Sequence, residues 1–471
     1  MSAKKILFII PASSISVFNR SKISVAVPNI PIISVAQLAA CVRLDGHTPA
    51  VLDLSIIEKK KLINILKKKI DGFCPDYIGI TFTTPLFKES TFIAKVIKKF
   101  YPTIKIIAGG PHASVDPEGV LKSSLFNTVV MGEGEMTLND ILNGVLPSKI
   151  KGIGYLTEDS YIINEPRELI GDLDELPLPD YSIFDIYQYS TPRLNCRRNP
   201  VAAIETSRGC IFNCIFCSKH VFRRKFRAKS PKRVADEMQH LYKQGFNEVH
   251  IWDDGFSTDL KRAKNICKEL IRRNIKIPWN IYNGIRVDRC DFELFSLLKR
   301  AGCYRISFGV ESGSQKILDT VHKSIKLDQI ILAFKKAHNA GLETVAFCVF
   351  GFPGETEATM KETIRFMKKI KPTIPKLSFF MPLPGTKVYD DWEKEGFIIS
   401  HDWSNYIYHM PKKVYNHPTL KWEILNKYYN LFYRQTMLYP EFILNWIKRG
   451  IKNGEILFYL YYFLKTLRWG W

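Results

Sequence analysis

Cys210, Cys214 and Cys217 follow the spacing CxxxCxxC, three thiols in one short stretch. Thiolates are the soft ligands of zinc and of iron–sulfur clusters. Three of them in a single loop hold three irons of a cubane and leave the fourth iron open to a substrate or cofactor. A structural zinc site takes a fourth Cys or His, and His220, three residues on, supplies the competing reading of a three-cysteine, one-histidine zinc site. The remaining cysteines, Cys41, Cys74, Cys196, Cys267, Cys290, Cys303 and Cys348, stand singly in apolar or helical contexts, where free cysteine behaves as a small hydrophobe. The opening MSAKKILFII reads as a first buried strand, not an export signal. A cytoplasmic enzyme is therefore expected, and a disulfide framework is not.

The elements that must position this loop alternate between strand and helix. Short apolar runs at Lys5–Ile10, Ala50–Leu54, Tyr77–Phe82, Lys105–Ala108 and Thr128–Met131 are separated by amphipathic helical stretches. Continuous apolar strands of this kind predict a parallel sheet covered on both faces. Ligands bind beyond the carboxyl ends of such strands. The segments there are small and hydroxylic: Thr81–Phe82–Thr83–Thr84, Gly109–Gly110–Pro111–His112 and Gly132–Glu133–Gly134–Glu135. A hairpin over 152–165 and a Pro- and Asp-rich linker, Asp172–Asp180, come next. Strands then recur at Val201–Thr206, Glu248–Asp253, Asn280–Ile285, Tyr304–Gly309, Thr344–Val349 and Lys376–Phe380. Six βα units predict a partial parallel barrel with its chemistry at the strand carboxyl ends.

CxxxCxxC after the first strand of such a barrel resembles the radical SAM superfamily, and other landmarks fall in register over about 195–390. Phe216 sits where that family places an aromatic against the SAM adenine. Trp252–Asp253–Asp254–Gly255–Phe256 ends the second strand, where the family has its SAM amino-group motif. DDGF in place of the commoner GGE is similar to the cobalamin-associated branch. Arg286 lies in Asn283–Asp288 after the third strand, and Glu311 and Ser312 lie in Gly309–Ser314 after the fourth. Gly351 opens the Gly351–Thr356 segment after the fifth, and Pro384–Gly385–Thr386 follows the sixth. The resemblance implies SAM contacts from Phe216, Asp253, Asp254, Arg286, Glu311, Ser312 and Gly351. It makes the N-terminal sheet a cobalamin-binding domain, with Thr81, Thr83, Gly109, Gly110, His112, Gly132, Glu133 and Gly134 toward the corrin. The DxHxxG motif that carries a cobalt-ligating histidine in many such domains is missing from 1–150, so His112 is either a cobalt ligand or an ordinary hydrogen-bonded histidine. Glu133 and Glu135 serve either the corrin rim or a helix N-terminus. Asp253 and Asp254 are SAM contacts or strand-end caps, and Arg286 binds an anion or a neighbouring carboxylate.

The resulting expectation is an α/β chain in four parts. A doubly wound parallel-sheet cobalamin-binding domain (1–147) leads through a hairpin and linker (148–194) to a partial (β/α)6 radical SAM barrel (195–390). A helical, aromatic-rich region (391–471) follows. The implied cofactors are a 4Fe–4S cluster, S-adenosyl-L-methionine and cobalamin. The implied partners are a small-molecule substrate and an electron donor such as flavodoxin or ferredoxin. The net charge of +22 brings nucleic acid into view, but lysines spread along helix faces and no RNA-binding module follows the barrel. The basic run Arg223–Lys229 is read as a SAM, acidic-substrate or nucleic-acid contact, or as a solvated loop. No run reaches about 18 apolar residues, so no transmembrane helix is expected. The final stretch, Ile456–Trp471, mixes aromatics with Lys465 and Arg468 and offers peripheral membrane contact, a cap over the site or an aromatic core. A lipid or other hydrophobic substrate would suit the first. Methyl transfer is the leading function, with oxidative cyclisation or ring rearrangement as the alternative and a non-catalytic sensor as a remote third.

Overall fold

A computed structural model describes residues 2–12, 28–408, 411–454, 456, 457, 460 and 461. Two sheets dominate. The first has the order β2-β1-β3-β4-β5-β6-β7, built from β1 (Lys5–Ile10), β2 (Thr48–Asp53), β3 (Tyr77–Thr81), β4 (Lys105–Gly109), β5 (Thr128–Val130), β6 (Ile153–Leu156) and β7 (Tyr161–Ile163). Strands β1 to β5 are parallel, in the doubly wound arrangement whose ligand crevice opens where the strand order reverses. Alternation in β1 shows why both faces are covered: Ile6, Phe8 and Ile10 enter one core and Leu7 and Ile9 another. The predicted hairpin forms, and it adds to β5 as an antiparallel edge.

The second sheet has six parallel strands in strict chain order. They are β8 (Val201–Ile204), β9 (Glu248–Ile251), β10 (Trp279–Ile285), β11 (Cys303–Glu311), β12 (Glu343–Phe350) and β13 (Ile374–Phe379). Helices cover its convex face, and their starts are written in the sequence. Ser230, Asp259, Asp291 and Thr356 each accept a hydrogen bond from the backbone N–H three residues on. Such caps satisfy donors that a helix start leaves orphaned.

The linker is packed, not free. Tyr181 is buried and donates to the Ala203 carbonyl at 2.6 Å, and Tyr189 donates to Asp53 Oδ2 at 2.9 Å. One apolar core consequently runs from Ile6 and Phe8 past Val35, Tyr181 and Ala202 to Phe308. Of the aromatic C-terminal region, helix Trp422–Met437 packs on the barrel: Phe432 meets Phe350 at 6.0 Å and Tyr429 stacks on Phe379 at 4.7 Å. Most of the segment read as a membrane contact, 458–459 and 462–471, lies outside the described residues. No described helix is long and apolar enough to cross a membrane.

Candidate functional site

The cysteine loop leaves β8 through a two-residue ribbon, Ser207–Arg208, paired with Arg227–Ala228. Gly209 makes the turn at φ 81°, and a Cβ there would stand 2.3 Å from the Lys225 carbonyl oxygen, so the loop closes only on glycine. Beyond it Cys210 and Cys214 are half-buried and Cys217 is exposed. Phe212 lies beneath the Arg286 guanidinium, 3.5 Å from the ring centre, which braces the loop against the third strand. Phe216 packs on Phe352 at 5.0 Å.

Carboxylates and cations from the other strand ends fix this loop. Asp253 is fully buried and accepts from the Thr206 amide and from the Thr206 and Ser207 hydroxyls, clamping β9 to β8. Arg286 pairs with Asp288 at 2.9 Å and donates to the carbonyls of Lys323 and Ser324. Glu311, at φ 62°, pairs with Lys323. Burial pushes the Cys214 thiol up while Lys323 pulls it down. Ser312 bonds Thr363 at 3.1 Å and builds the turn that follows. Asp254, by contrast, is exposed and lines a cavity.

Gly351, at φ 94°, opens the segment that ends in Glu355. Glu355 is fully buried, takes a hydrogen bond from Thr359 Oγ1 and leaves Oε2 without a partner. Burial pushes its carboxyl up to about 7 from an ordinary 4.5, against the help of Thr359 and the Gly351 amide. The folded state therefore keeps a proton that the unfolded chain releases. Stability contributed by this group is full at low pH and falls as pH rises from about 4.5 to 7, by up to about 3 kcal/mol. Glu355→Gln is expected to match the native protein near pH 4.5 and to exceed it above pH 7 in urea unfolding; parallel pH curves would refute this.

Two cavities meet at the loop. One, about 660 Å³, is lined by Cys214, Cys217, Lys219, His220, Arg223 and Gly385 among others. Its neighbour, about 410 Å³, lies beyond the carboxyl ends of β1, β3, β4 and β5, lined by Thr81, Gly109, Gly110, Gly132, Glu133, Gly134 and Asp254. They share Gly132, Glu133, Lys219, His220, Val221 and Arg223. The first-sheet side is a floor of bare backbone. A Cβ on Gly109 would meet nothing within 4 Å, and one on Gly132 would find only the Val221 carbonyl at 3.6 Å. That floor fits a flat macrocycle needing close backbone approach. Gly110 is glycine for another reason: at φ 96° its Cβ would strike Thr81 and Phe82.

Thr83 and His112 do not line either cavity. His112 is fully buried among Phe82, Phe87 and Trp403, with Nδ1 3.2 Å from Thr84 Oγ1. Burial pushes its imidazole down to about 4, so it is neutral at physiological pH. His220 Nε2 sits 2.9 Å from the Gly385 carbonyl. Among the described residues no three His, Cys, Asp or Glu side chains converge on one metal position, which disfavours the zinc reading. A cubane makes no such demand, because each thiolate binds its own iron. The Cys214 carbonyl accepts from the Cys217 amide at 3.3 Å, a turn that keeps these two cysteines together.

The sequence did not reveal how the two sheets are locked. Arg208 donates to Glu133 at 2.8 Å and Glu135 at 2.6 Å, both buried, and to half-buried Glu205 at 2.6 Å. Arg227 joins it on Glu133 at 2.8 Å and also donates to the Ile170 carbonyl. Burial alone would lower the Arg208 guanidinium, but Glu205, Glu135 and Glu133 outweigh it and hold it above its ordinary value. The basic run is thus partly internal, since Lys229 also pairs with buried Glu237 at 2.6 Å.

Two family models divide the chain as the two sheets do: the B12 binding domain matches residues 23–142 and the radical SAM superfamily matches 204–367. The chain belongs to the radical SAM superfamily, in the branch that carries a B12-binding domain. It is 31% identical over 442 residues to an uncharacterized methyltransferase of Pyrococcus horikoshii, covering 92% of this chain and 93% of that protein. The anaerobic magnesium-protoporphyrin IX monomethyl ester cyclase of Rubrivivax gelatinosus is 29% identical, covering 79% of this chain and 69% of the cyclase. Among solved structures, the radical S-adenosylmethionine methyltransferase TsrM from Kitasatospora setae, with cobalamin and a 4Fe–4S cluster bound, shares the fold at TM-score 0.69. Identity there is 18%, with 85% of this chain and 76% of TsrM covered.

Proposed function

We propose that this chain is a cobalamin-dependent radical SAM enzyme that transfers a methyl group to an unactivated carbon of a small biosynthetic intermediate. The observation that carries the reading is the pair of joined cavities, one faced by Cys214 and Cys217 and the other floored by Gly109 and Gly132. When bound, the 4Fe–4S cluster with SAM supplies a carbon-centred radical that takes hydrogen from the substrate, and cobalamin supplies the methyl group.

The protein's own work is placement. Cys210, Cys214 and Cys217 would hold the cluster, and the Gly209 turn sets their approach. Phe216, pressed on Phe352, offers an aromatic face beside them. Asp253, Arg286 and Ser312 act one step back, since their polar atoms brace the loops that carry these groups. Asp254, Gly109, Gly110 and Gly132 would face the corrin. The Arg208 cluster holds the two halves of the site at fixed separation. An electron donor of the flavodoxin or ferredoxin type would reduce the cluster.

The test is anaerobic. Protein reconstituted with iron, sulfide and cobalamin is incubated with SAM, a reductant and host-cell extract, and 5′-deoxyadenosine and S-adenosylhomocysteine are quantified by mass spectrometry. Both are expected to rise together on addition of extract. A rise in 5′-deoxyadenosine alone would replace methyl transfer with cyclisation or rearrangement.

A further inference from the structure

The second sheet has a face under helices and an opposite face whose side chains are only partly buried. On β12 and β13, Ala346, Cys348, Phe350, Leu377 and Phe379 are buried beneath helices. The alternate residues Phe347, Lys376 and Ser378 point the other way and remain partly accessible, as do Trp252 and Tyr282. Lys376 Nζ lies 5.3 Å from the Tyr282 ring centre. Their strands, β13 and β10, are separated by two others. At about 4.8 Å per strand the contact is made across the concavity, not along the sheet.

The strand N-terminal end of this lumen is closed and electrically settled. Glu343 takes Arg197, Arg305 and Arg449. Glu248 takes Tyr304 Oη at 2.6 Å and the amides of Arg197 and Arg198, and lies 2.8 Å from His250 Nε2. Above that plug stands a column of rings: Tyr282 stacks on His250 at 5.4 Å and on Trp252 at 5.5 Å. Lys376 reaches this column and the Phe347 ring at 5.6 Å. No described residue gives its ammonium a hydrogen bond or an ion pair. Burial, with Arg305 adding repulsion, pushes it down to about 8. A partly accessible cation with no counter-ion among the described residues can take an anion that reaches it.

We propose that Lys376 is the anchor for a carboxylate on the substrate, whose flat apolar body lies along Tyr282 and Trp252. The assignment rests on the reading of the chain as an enzyme acting on a small molecule. A carboxylate is favoured over a phosphate because the lumen offers one point charge and no free guanidinium fork, and phosphate sites draw on several donors.

The test measures binding, not turnover. Calorimetry on the full reconstituted chain compares 2-naphthoate, 2-naphthamide and 2-naphthyl phosphate. The native protein is expected to hold the carboxylate at least about tenfold tighter than the amide, one charge-assisted hydrogen bond. Lys376→Met should erase that preference and Lys376→Arg should restore most of it. An unchanged preference in Lys376→Met, or none in the native protein, overturns the proposal. Tighter binding of the phosphate overturns the carboxylate assignment. Should Lys376→Met not fold, acetic anhydride labelling of the native chain decides the same point by peptide mass spectrometry: 2-naphthoate, and not the amide, must protect Lys376. None of these readouts depends on methyl transfer, so 5′-deoxyadenosine without S-adenosylhomocysteine would sink that reading and leave the Lys376 anchor standing. A failed naphthoate series would do the reverse.

Discussion

Cys214→Ala is expected to abolish SAM-dependent 5′-deoxyadenosine formation and to strip most of the iron and sulfide from the reconstituted protein. Cys214 is half-buried between the Glu311–Lys323 pair and the cavity that Cys217 shares. A lost thiolate would leave one iron of the cluster without a protein ligand. Loss of a mere outer partner of a metal ligand costs about 10–100-fold, so loss of the ligand itself is expected to exceed about a hundredfold. Cys290→Ala is the control: that thiol is a half-buried residue near the Val287 carbonyl and lies in neither cavity. Full iron content and turnover in Cys214→Ala would remove the radical SAM assignment of this loop.

Arg208→Met is expected to cost about 3–5 kcal/mol, the usual penalty for removing one partner of a buried ion cluster. The carboxylates of buried Glu133 and Glu135 and half-buried Glu205 would lose their shared cation, with Arg227 left on Glu133 and Lys229 near Glu205. Because Glu133 and Glu135 follow β5 of the first sheet and Arg208 follows β8 of the second, the loss should appear in two readouts. The urea midpoint should fall, and the linker around 164–180 should become open to limited proteolysis. An unchanged midpoint and an uncut linker would show that the sheets are held by apolar contact alone.

Local signals carried most of the architecture. The strand Lys5–Ile10 stands where its apolar run predicts it. The strands of the second sheet differ from expectation by one or two residues, as at Ile374–Phe379, where the apolar run begins ahead of Lys376. The helical stretch between β2 and β3 begins only at Leu62, because Leu54–Ile56 and Lys59–Lys61 form single 3-10 turns first. The cysteine loop was legible since its ligands are neighbours in sequence.

Long-range pairing was not legible. Glu133 reads as a corrin contact or a helix-end charge until Arg208 and Arg227 are found 75 and 94 residues away. His112 reads as a cobalt ligand or an ordinary hydrogen-bonded histidine, and only Trp403, from far along the chain, shows how it is enclosed beside Thr84. Lys376 went unnoticed. Its only local signal is a single lysine at an inward position of IPKLSF, and nothing nearby in sequence says that its counter-ion is missing.

The unbroken apolar core from Ile6 to Phe308 also bears on how such a chain can diverge. Two modules joined by gene fusion would each bring a finished core and a wettable seam. Here the seam is itself core, so neither half can be exchanged for a foreign counterpart without baring apolar side chains that invite aggregation. Heritable change is thereby channelled into the hollow parts, where a swap at Phe347 or Lys376 alters what is accepted and leaves the chassis untouched.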